Sequence, residues 1–445
     1  ERDSFGAGIR ASFDSIRTAK RGSFDSVSSG GNQTSSLLKY PCAVTVTWQG
    51  LVERMVSYLR AHNYDKRLVE SQSLVRIFGV LSSHLIKARA SEDGSLFDMQ
   101  DTEDAEERGR QLGKLAQLQE CLNNSGVTDA ALLAIATHPL VEGNPADAAS
   151  KLLLELVRYG NPKVQDSVYQ NLMSVDKDGV VLLYLKQRLV DARKSVTERL
   201  EATSSAYQPM ASHSKKKFVE ATAAFDLVWY FCEGHHSGMQ NFLREQTGRV
   251  VSVDLVSLVA ETVMVMGDKR VGLKRMEDAE VVLLCSVLVC LVEAVQGPCP
   301  GNQLAVSKEA GLINALDKII LSTFHPRVST ATVVTAKSMA LNLLAALLEG
   351  REDLVVHKRI VAEVPPHSFE ACRTHLGTLV AEAAADSNAG DDITDEVVDA
   401  FVFLDTVYVQ LSLIPDFRRD LDELLEKRKK GTHKGSGGGD GVGGG

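Results

Sequence analysis

Residues 144–172 read NPADAASKLLLELVRYGNPKVQDSVYQNL, and this stretch decides the fold class. It contains two Asn-Pro steps, Asn144-Pro145 and Asn161-Pro162, and each places a helix-capping side chain before a proline at the first helical position. Apolar residues follow each step at the spacing of a buried helical face, namely Ala149, Leu152, Leu153, Leu156, Val164, Val168 and Leu172. Because only a short connection around Gly160 separates the two helices, the stretch predicts a helical hairpin.

Helical spacing recurs along most of the chain, whereas apolar residues rarely alternate strictly over more than four positions. We therefore predict an all-α fold, an armadillo-like solenoid of helical hairpins with a disordered N-terminal segment and a Gly-rich C-terminal tail. The predicted segments are 1–47 (disordered, rich in Ser and Gly), 48–91 (helical), 92–110 (acidic linker), 111–200 (helical repeats), 201–216 (loop), 217–385 (helical domain), 386–430 (C-terminal helix) and 431–445 (Gly-rich tail).

The composition argues against several classes of protein. With 445 residues, 44% of them hydrophobic, the chain can bury a core and divide into about two or three helical units. Its net charge of −9 argues against a nucleic-acid partner or an anionic membrane surface, since both need a clustered positive field. Seven cysteines, an odd number spread over a large chain, indicate free thiols in a reducing compartment.

The start of the sequence and its longest apolar run are informative about membrane targeting. The chain begins with Glu1 and has no signal-peptide pattern, so we expect it to be a piece of a longer protein. The apolar run Val281–Val292 is shorter than the roughly 20 residues that a membrane span needs. We predict that this run belongs to a buried helix.

The N-terminal segment contains the motif Arg-x-Ser-Phe three times, beginning at Arg2, Arg10 and Arg21. Basophilic kinases read an arginine two residues before a serine, which makes Ser12 and Ser23 candidates for phosphorylation. Each phosphate would add about −1.5 to −2 charge, enough to dock a flexible arm on a basic surface. An unregulated tail is the alternative, because such short matches also occur by chance.

Two glutamates lie at positions where a charged carboxylate is energetically unfavourable, one in an apolar helix and one at a helix end. Glu293 is the only charged residue in 281–307, within a broadly apolar helical stretch, so its burial needs a partner or a ligand. Gln296 lies about one turn further and can orient it. Glu233 comes where an apolar helix ends at Gly234, beside carbonyl oxygens that lack helical partners. Carboxylates and carbonyls suit calcium, which takes six to eight oxygen ligands; ordinary salt bridges are the alternative.

Cys232, His235 and His236 suggest a competing zinc site. Three residues this close cannot complete a tetrahedron without a fourth ligand, and no Cys or His is spaced to supply one. The sequence also contains no Gly-x-Ser-x-Gly or His-Glu-x-x-His motif. We therefore predict that the chain is not an enzyme. A free-standing helical-repeat scaffold that binds another protein is the main alternative, and a metal-dependent hydrolase using His235 and His236 is a weaker one.

Three stretches carry a family resemblance: residues 232–248 (CEGHHSGMQNFLREQTG), 291–303 (LVEAVQGPCPGNQ) and 343–351 (LLAALLEGR). They resemble the RIH-associated domain, which inositol trisphosphate and ryanodine receptors share. Residues 118–173 are similar to the helical region that precedes this domain in inositol trisphosphate receptors. The resemblance covers roughly residues 112–365 and favours the inositol trisphosphate receptors.

The resemblance implies the cytosolic regulatory region of a ligand-gated intracellular calcium-release channel. Such a region works with the remainder of the channel polypeptide, its pore and C-terminal domain, in a homotetramer at the cytosolic face of the endoplasmic reticulum or a related calcium store. In the family, glutamates matching Glu233 and Glu293 supply the activating calcium site, and a threonine backbone near the channel's C-terminus completes it. Residues matching His235 and Gln296 support that site. We therefore predict that Glu233 and Glu293 converge in an incomplete calcium site.

Overall fold

The computed structural model describes residues 47–63, 68–89, 102–138, 143–202, 210, 212–249, 252–267, 272–385 and 390–435. These residues form eighteen α-helices and one 3-10 turn, and no strand occurs among them, which confirms the predicted all-α class. The helices are α1 (Trp48–His62), α2 (Leu68–Arg89), α3 (Thr102–Asn124), α4 (Val127–Thr137), α5 (Pro145–Val157), α6 (Pro162–Ser174), α7 (Val180–Ala202), α8 (Ser212–Cys232), α9 (Ser237–Arg244), α10 (Leu255–Met266), α11 (Asp278–Val295), α12 (Pro300–Lys308), α13 (Leu312–Leu321), α14 (Thr330–Leu348), α15 (Val355–Glu363), α16 (Pro366–Ala385), α17 (Gly390–Leu411) and α18 (Pro415–Gly435).

The chain divides into two compact units. Unit 1 comprises the residues up to Ala192 together with Val219–Leu255. Unit 2 comprises Arg193–Phe218 and the residues from Val256 onward. The divisions therefore fall inside α7, inside α8 and after the first residue of α10.

Helix α5 lies at the centre of unit 1, where it packs against α2 and α4. Its caps form as the sequence predicts: Asn144 Oδ1 accepts a hydrogen bond from the Asp147 backbone N–H at 3.0 Å, and Asn161 caps α6 in the same manner. The predicted apolar face is fully buried, at Ala149, Leu152, Leu153, Leu156, Val164, Val168 and Leu172. Burying a leucine or valine side chain contributes about 1.5–3 kcal/mol, so this face stabilises the centre of the unit.

Helix α14 is the core helix of unit 2 and packs against α11 and α17. Within the described residues it alone is long and apolar enough to cross a membrane, but 89% of the relevant window is buried inside the fold. The core helix of a water-soluble fold passes the same test, so its length and composition carry no further conclusion. The predicted buried helix over Val281–Val292 is confirmed, because it forms most of α11.

A lysine is buried in the middle of this core. Lys337, on α14, is fully inaccessible to solvent, and its Nζ donates a hydrogen bond to the carbonyl oxygen of Ile320 at the end of α13. Burial lowers the pKa of Lys337 to about 8, because an ammonium ion is poorly solvated in an apolar interior. The pKa of the buried Cys372 thiol is raised for the same reason.

The lowered pKa of Lys337 predicts a pH dependence of stability. Between pH 8 and about 10.5 the unfolded chain retains a proton that the folded chain has released, so stability rises with pH in this window. Below pH 8 Lys337 is protonated in both the folded and the unfolded chain, so the free energy of unfolding no longer changes with pH through this residue. We expect wild type to gain about 2 kcal/mol, relative to Lys337→Met, between pH 7 and pH 9.5. Urea unfolding of both chains, followed by circular dichroism, would contradict this if their pH profiles ran parallel.

The C-terminal segment differs from the prediction. The sequence predicts one helix over 386–430, whereas the structure has two, α17 and α18, separated by Ser412–Ile414. Pro415 lacks a backbone N–H and has a fixed φ, so it begins α18 rather than continuing α17. Helix α18 ends at Gly435, beyond the predicted boundary.

Three other predicted boundaries also lie within helices. Helix α7 ends at Ala202, beyond residue 200, where the predicted repeat region ends. Helix α3 begins at Thr102, inside the segment 92–110 that the sequence assigns to an acidic linker. Helix α8 begins at Ser212, inside the predicted loop 201–216. The candidate phosphorylation sites in the N-terminal segment, Ser12 and Ser23, lie outside the described residues, and so does the tail after Gly435.

Candidate functional site

Glu233 directly follows the last residue of α8, as the sequence predicts. Its backbone N–H still donates to the carbonyl oxygen of Trp229 at 3.0 Å, so the residue continues the last helical turn. Gly234 and His235 then adopt the left-handed conformation, with φ of 75° and 65°, and turn the chain toward α9. The Glu233 side chain is 1% exposed. A carboxylate is thus held inside the protein at a helix C-terminus, where the helix dipole favours a cation.

The hairpin of α5 and α6 holds this helix end in place. The side-chain amide of Gln165, on α6, donates to the carbonyl oxygens of Tyr230 and Glu233, both at 2.8 Å. Gly160, in the α5–α6 turn, packs against the Glu233 side chain, because a methyl group added at Gly160 would lie 2.9 Å from Glu233 Cγ. Sequence reasoning missed both contacts, because nothing local to residues 160–165 points to a helix about seventy residues away.

A buried polar network extends from this helix end into the hairpin. Arg158 donates to both carboxylate oxygens of Glu155, at 3.2 and 3.0 Å, and to the hydroxyl oxygen of Tyr230 at 3.3 Å. Gln119, on α3, donates its amide to the carbonyl oxygens of Glu155 and Arg158, both at 3.0 Å. Asn161 donates to Gln119 Oε1 at 3.2 Å. A buried polar group that loses its hydrogen bond costs free energy, so this network holds the α5–α6 hairpin against α8.

The two histidines that suggest a hydrolase have different surroundings. His235 is exposed on its left-handed turn. His236 caps α9, accepting a hydrogen bond from the Met239 backbone N–H at 3.0 Å, and its other ring nitrogen lies 3.0 Å from Asp166 Oδ1. Capping and the contact with Asp166 account for His236 without a catalytic role.

Glu293 lies in the last turn of α11, in unit 2, and is 8% exposed. Gln296 is the C-cap of this helix, and its backbone N–H donates to the carbonyl oxygen of Val292 at 2.9 Å. Asn302, on α12, is fully buried and donates its side-chain amide to the carbonyl oxygen of Ala294 at 2.7 Å. The second candidate carboxylate is therefore also held at the end of a rigid helix.

Both positions fit calcium in the chemistry of their donors. Each offers a carboxylate close to a helix C-terminus, and calcium prefers six to eight oxygen ligands. Within the part of the chain that the structure describes, no group of three or more His, Cys, Asp and Glu side chains could hold a metal ion. A calcium site built on Glu233 and Glu293 therefore needs further oxygen donors. The convergence of the two glutamates, which lie in different units, stays a prediction.

A cavity of about 650 Å³ lies beside α9 in unit 1. Its lining includes the basic side chains of Lys177, Arg244 and Arg249 and the aromatic rings of Tyr169 and Phe242. The Arg249 guanidinium lies 5.1 Å from the centre of the Phe242 ring. The cavity contains none of the residues that the sequence identifies as candidate site residues.

Comparison with known proteins identifies a matching family and related sequences. Residues 214–320 match the family described as "RyR and IP3R Homology associated", a range that contains both candidate glutamates, His235 and Gln296. Over 131 residues, 27% of this chain, the sequence is 30% identical to the inositol 1,4,5-trisphosphate receptor itr-1 of Caenorhabditis elegans. The matched region spans only 4% of that receptor's length. Together the matches show that this part of the chain is similar to a domain of inositol trisphosphate and ryanodine receptors.

Proposed function

We propose that the chain is a cytosolic regulatory region of an intracellular calcium-release channel and supplies two carboxylates, Glu233 and Glu293, to a calcium-sensing site. The observation that carries the proposal is the match over 214–320, which contains both glutamates. Their position at helix ends supports the assignment, because carboxylate and carbonyl oxygens are the ligands that calcium prefers and both are present there. In this proposal the chain is not an enzyme, and its His235 and Gln296 support the two carboxylates.

The fold suggests how such a site would be coupled to a pore. Glu233 is fixed by Gln165 and Gly160, and so by the α5–α6 hairpin, which makes its position depend on the upstream helices. When bound, calcium supplies a divalent charge that neutralises both carboxylates. If the site is complete only in the open channel, calcium binds the open state more tightly than the closed state. Calcium then favours opening by the ratio of these two affinities.

The proposal places the chain within a larger assembly. The matched receptor is far longer than this chain, so the remaining oxygen ligands, the pore and the C-terminal domain belong to the remainder of the channel polypeptide. We propose a homotetramer at the cytosolic face of the endoplasmic reticulum membrane or a related calcium store. The net charge of −9 supports a protein partner rather than a nucleic acid.

Calcium binding to the chain itself tests the proposal. We expect weak binding, toward the millimolar end of the range of about 10⁻⁴ to 10⁻³ M, because most coordination positions are left to water. Glu233→Gln and Glu293→Gln should each weaken binding at least about tenfold, or about 1.4 kcal/mol. Terbium(III), excited through Trp229 one turn before Glu233 and displaced by calcium, provides the measurement.

Glu349 supplies the matched control for this experiment. It also follows the last residue of a helix and precedes a left-handed glycine, Gly350, with φ of 63°. Glu349→Gln should leave calcium binding unchanged. If Glu233→Gln, Glu293→Gln and Glu349→Gln all bound calcium as wild type does, the site assignment would be refuted. In the complete channel, the first two substitutions should also move activation to higher calcium concentrations.

A further inference from the structure

The cavity beside α9 is built from two segments of unit 1. The first is the end of α6 with the turn after it, which contribute Tyr169, Met173 and Lys177. The second is α9 with the residues that follow it, up to Arg249. The volume of about 650 Å³ lies within the range of about 300–1,000 Å³ that is usual for small-molecule sites. None of these residues belongs to the proposed calcium site.

The lining of the cavity is basic, although the chain as a whole carries a net charge of −9. The lining contains three cations, Lys177, Arg244 and Arg249, and one carboxylate, Glu245. Glu245 forms an ion pair with Arg244, with Oε2 2.9 Å from Nη1. The other two cations therefore have no carboxylate partner on the lining. A concave surface with an excess of one charge sign concentrates counter-ions, so this cavity favours an anionic ligand.

Arg249 is held in place beside the cavity. Its Nη2 donates a hydrogen bond to the carbonyl oxygen of Leu172 near the end of α6, and its guanidinium carbon lies 5.1 Å from the centre of the Phe242 ring. Its Nη1 is buried and has no hydrogen-bond partner among the described residues. Within the same ranges, no ion pair joins Arg249 to a carboxylate. The guanidinium is thus preorganised for an anion, because little side-chain freedom is lost on binding.

The two aspartates beside Lys177 in the sequence do not line the cavity. Asp176 accepts hydrogen bonds from two backbone N–H groups at the start of α7, at 2.8 and 3.1 Å, so its carboxylate is engaged as a helix cap. Burial raises the pKa of Asp176, whereas these N–H groups and the nearby Arg249 guanidinium lower it in part. Asp178 is exposed. Lys177 is exposed as well, so its long side chain is free to turn toward a ligand.

Aromatic and apolar side chains complete the lining. The Tyr169 ring is half-buried and packs edge-on against Phe242, with ring centroids 5.8 Å apart. Met173 is 47% exposed. An aromatic ring of a ligand packs favourably both on a tyrosine ring and on a thioether sulfur. A bare inorganic anion would leave this part of the cavity unfilled.

We propose that this cavity binds a small aromatic oxyanion, a ligand in which a phosphate or carboxylate group is attached to an aromatic ring. The oxyanion lies against Lys177 and Arg249, and the ring lies against Tyr169 and Met173. Arg244 remains paired with Glu245 and adds to the positive field of the lining. Such a ligand does not contact Glu233 or Glu293, so its binding is independent of the proposed calcium site.

Phenyl phosphate is the probe, titrated into the whole chain and followed by saturation-transfer difference NMR. We expect a dissociation constant of about 0.1–1 mM, a weak affinity that suits a ligand this small. Lys177→Gln should weaken binding at least about threefold and Arg249→Gln at least about tenfold, because each removes a cation that faces the oxyanion. Lys186→Gln is the matched control. Lys186 is an exposed lysine of α7 outside the cavity, so this variant loses the same charge and should bind as wild type does.

Competition against phenyl phosphate separates the two halves of the ligand. Inorganic phosphate and phenol should each compete at least about tenfold more weakly than unlabelled phenyl phosphate, because each lacks one half. Equal competition by inorganic phosphate would overturn the proposal, since the ring would then contribute nothing. Benzoate identifies the oxyanion: weaker competition than phenyl phosphate supports a phosphate ligand, and equal or tighter competition supports a carboxylate ligand.

Thermal unfolding without ligand shows whether each variant keeps its fold. If Arg249→Gln is destabilised through its lost bond to Leu172, Lys177→Gln decides the test, because the exposed Lys177 side chain is not part of the core. The proposal fails if phenyl phosphate and benzoate both bind wild type more weakly than about 10 mM. It also fails if Lys177→Gln and Lys186→Gln bind phenyl phosphate equally well.

Discussion

Gly160→Val is expected to lower the free energy of unfolding of unit 1 by about 4 kcal/mol, the sum of two costs of about 1–3 kcal/mol each. The first is backbone strain, because Gly160 has φ of 65°, in the left-handed region that a β-branched residue rarely adopts. The second is a steric clash, since the new Cβ would lie 2.9 Å from Glu233 Cγ and 3.2 Å from its carbonyl oxygen. Tryptophan fluorescence during urea unfolding measures the loss, because Trp48 and Trp229 both belong to unit 1.

Gly143→Val is the matched control. Gly143 also has positive φ, 76°, and lies in unit 1, but no atom lies within 4 Å of a Cβ built on it. This substitution should lower the free energy of unfolding only by the backbone strain, about 1–3 kcal/mol, because it adds no steric clash. Equal losses for the two variants would show that the contact between the α5–α6 turn and Glu233 contributes nothing. A larger loss for Gly160→Val, with weakened calcium binding, would tie the position of Glu233 to the hairpin.

The sequence predicts the features that depend on near neighbours. Asn144 and Asn161 mark helix starts because their bonds are made within three residues, and the structure has both caps. The end of α8 is equally local, since Gly234 follows Glu233 directly and takes positive φ. The break before Pro415 carries a local signal as well, although the prediction of a single C-terminal helix overlooks it.

Features set by tertiary packing are not predictable in this way. The fourfold spacing of Leu51, Met55 and Leu59 indicates helix α1, but Leu51 is 39% exposed, and the buried residues of the helix are Val52, Val56 and Leu59. Spacing identifies a helix, whereas its neighbours decide which side is covered. Likewise, nothing near Gln165 reveals that its amide bonds the end of α8, because that contact spans sixty-eight residues. The support of the candidate site therefore emerges only from the structure.

Arg158→Met is expected to destabilise unit 1 by about 3–5 kcal/mol, because removing one partner of a buried ion pair leaves the other charge poorly compensated. Arg158 is 4% exposed and also bonds the Tyr230 hydroxyl. Arg89 remains near Glu155, with Nε 3.7 Å from Oε2, which favours the lower end of the range. Tryptophan fluorescence reports this loss directly, since Trp229 stacks on Tyr230 with ring centroids 4.5 Å apart.

Lys163→Met provides the comparison within the same hairpin. Its Nζ lies 2.6 Å from Glu120 Oε2, but the lysine side chain is 66% exposed, so water screens the pair and the loss should stay below about 1 kcal/mol. Equal losses for Lys163→Met and Arg158→Met would contradict a structural role for the buried pair. Adding Glu155→Leu to Arg158→Met should restore at least half of the lost stability, because the uncompensated carboxylate is then gone.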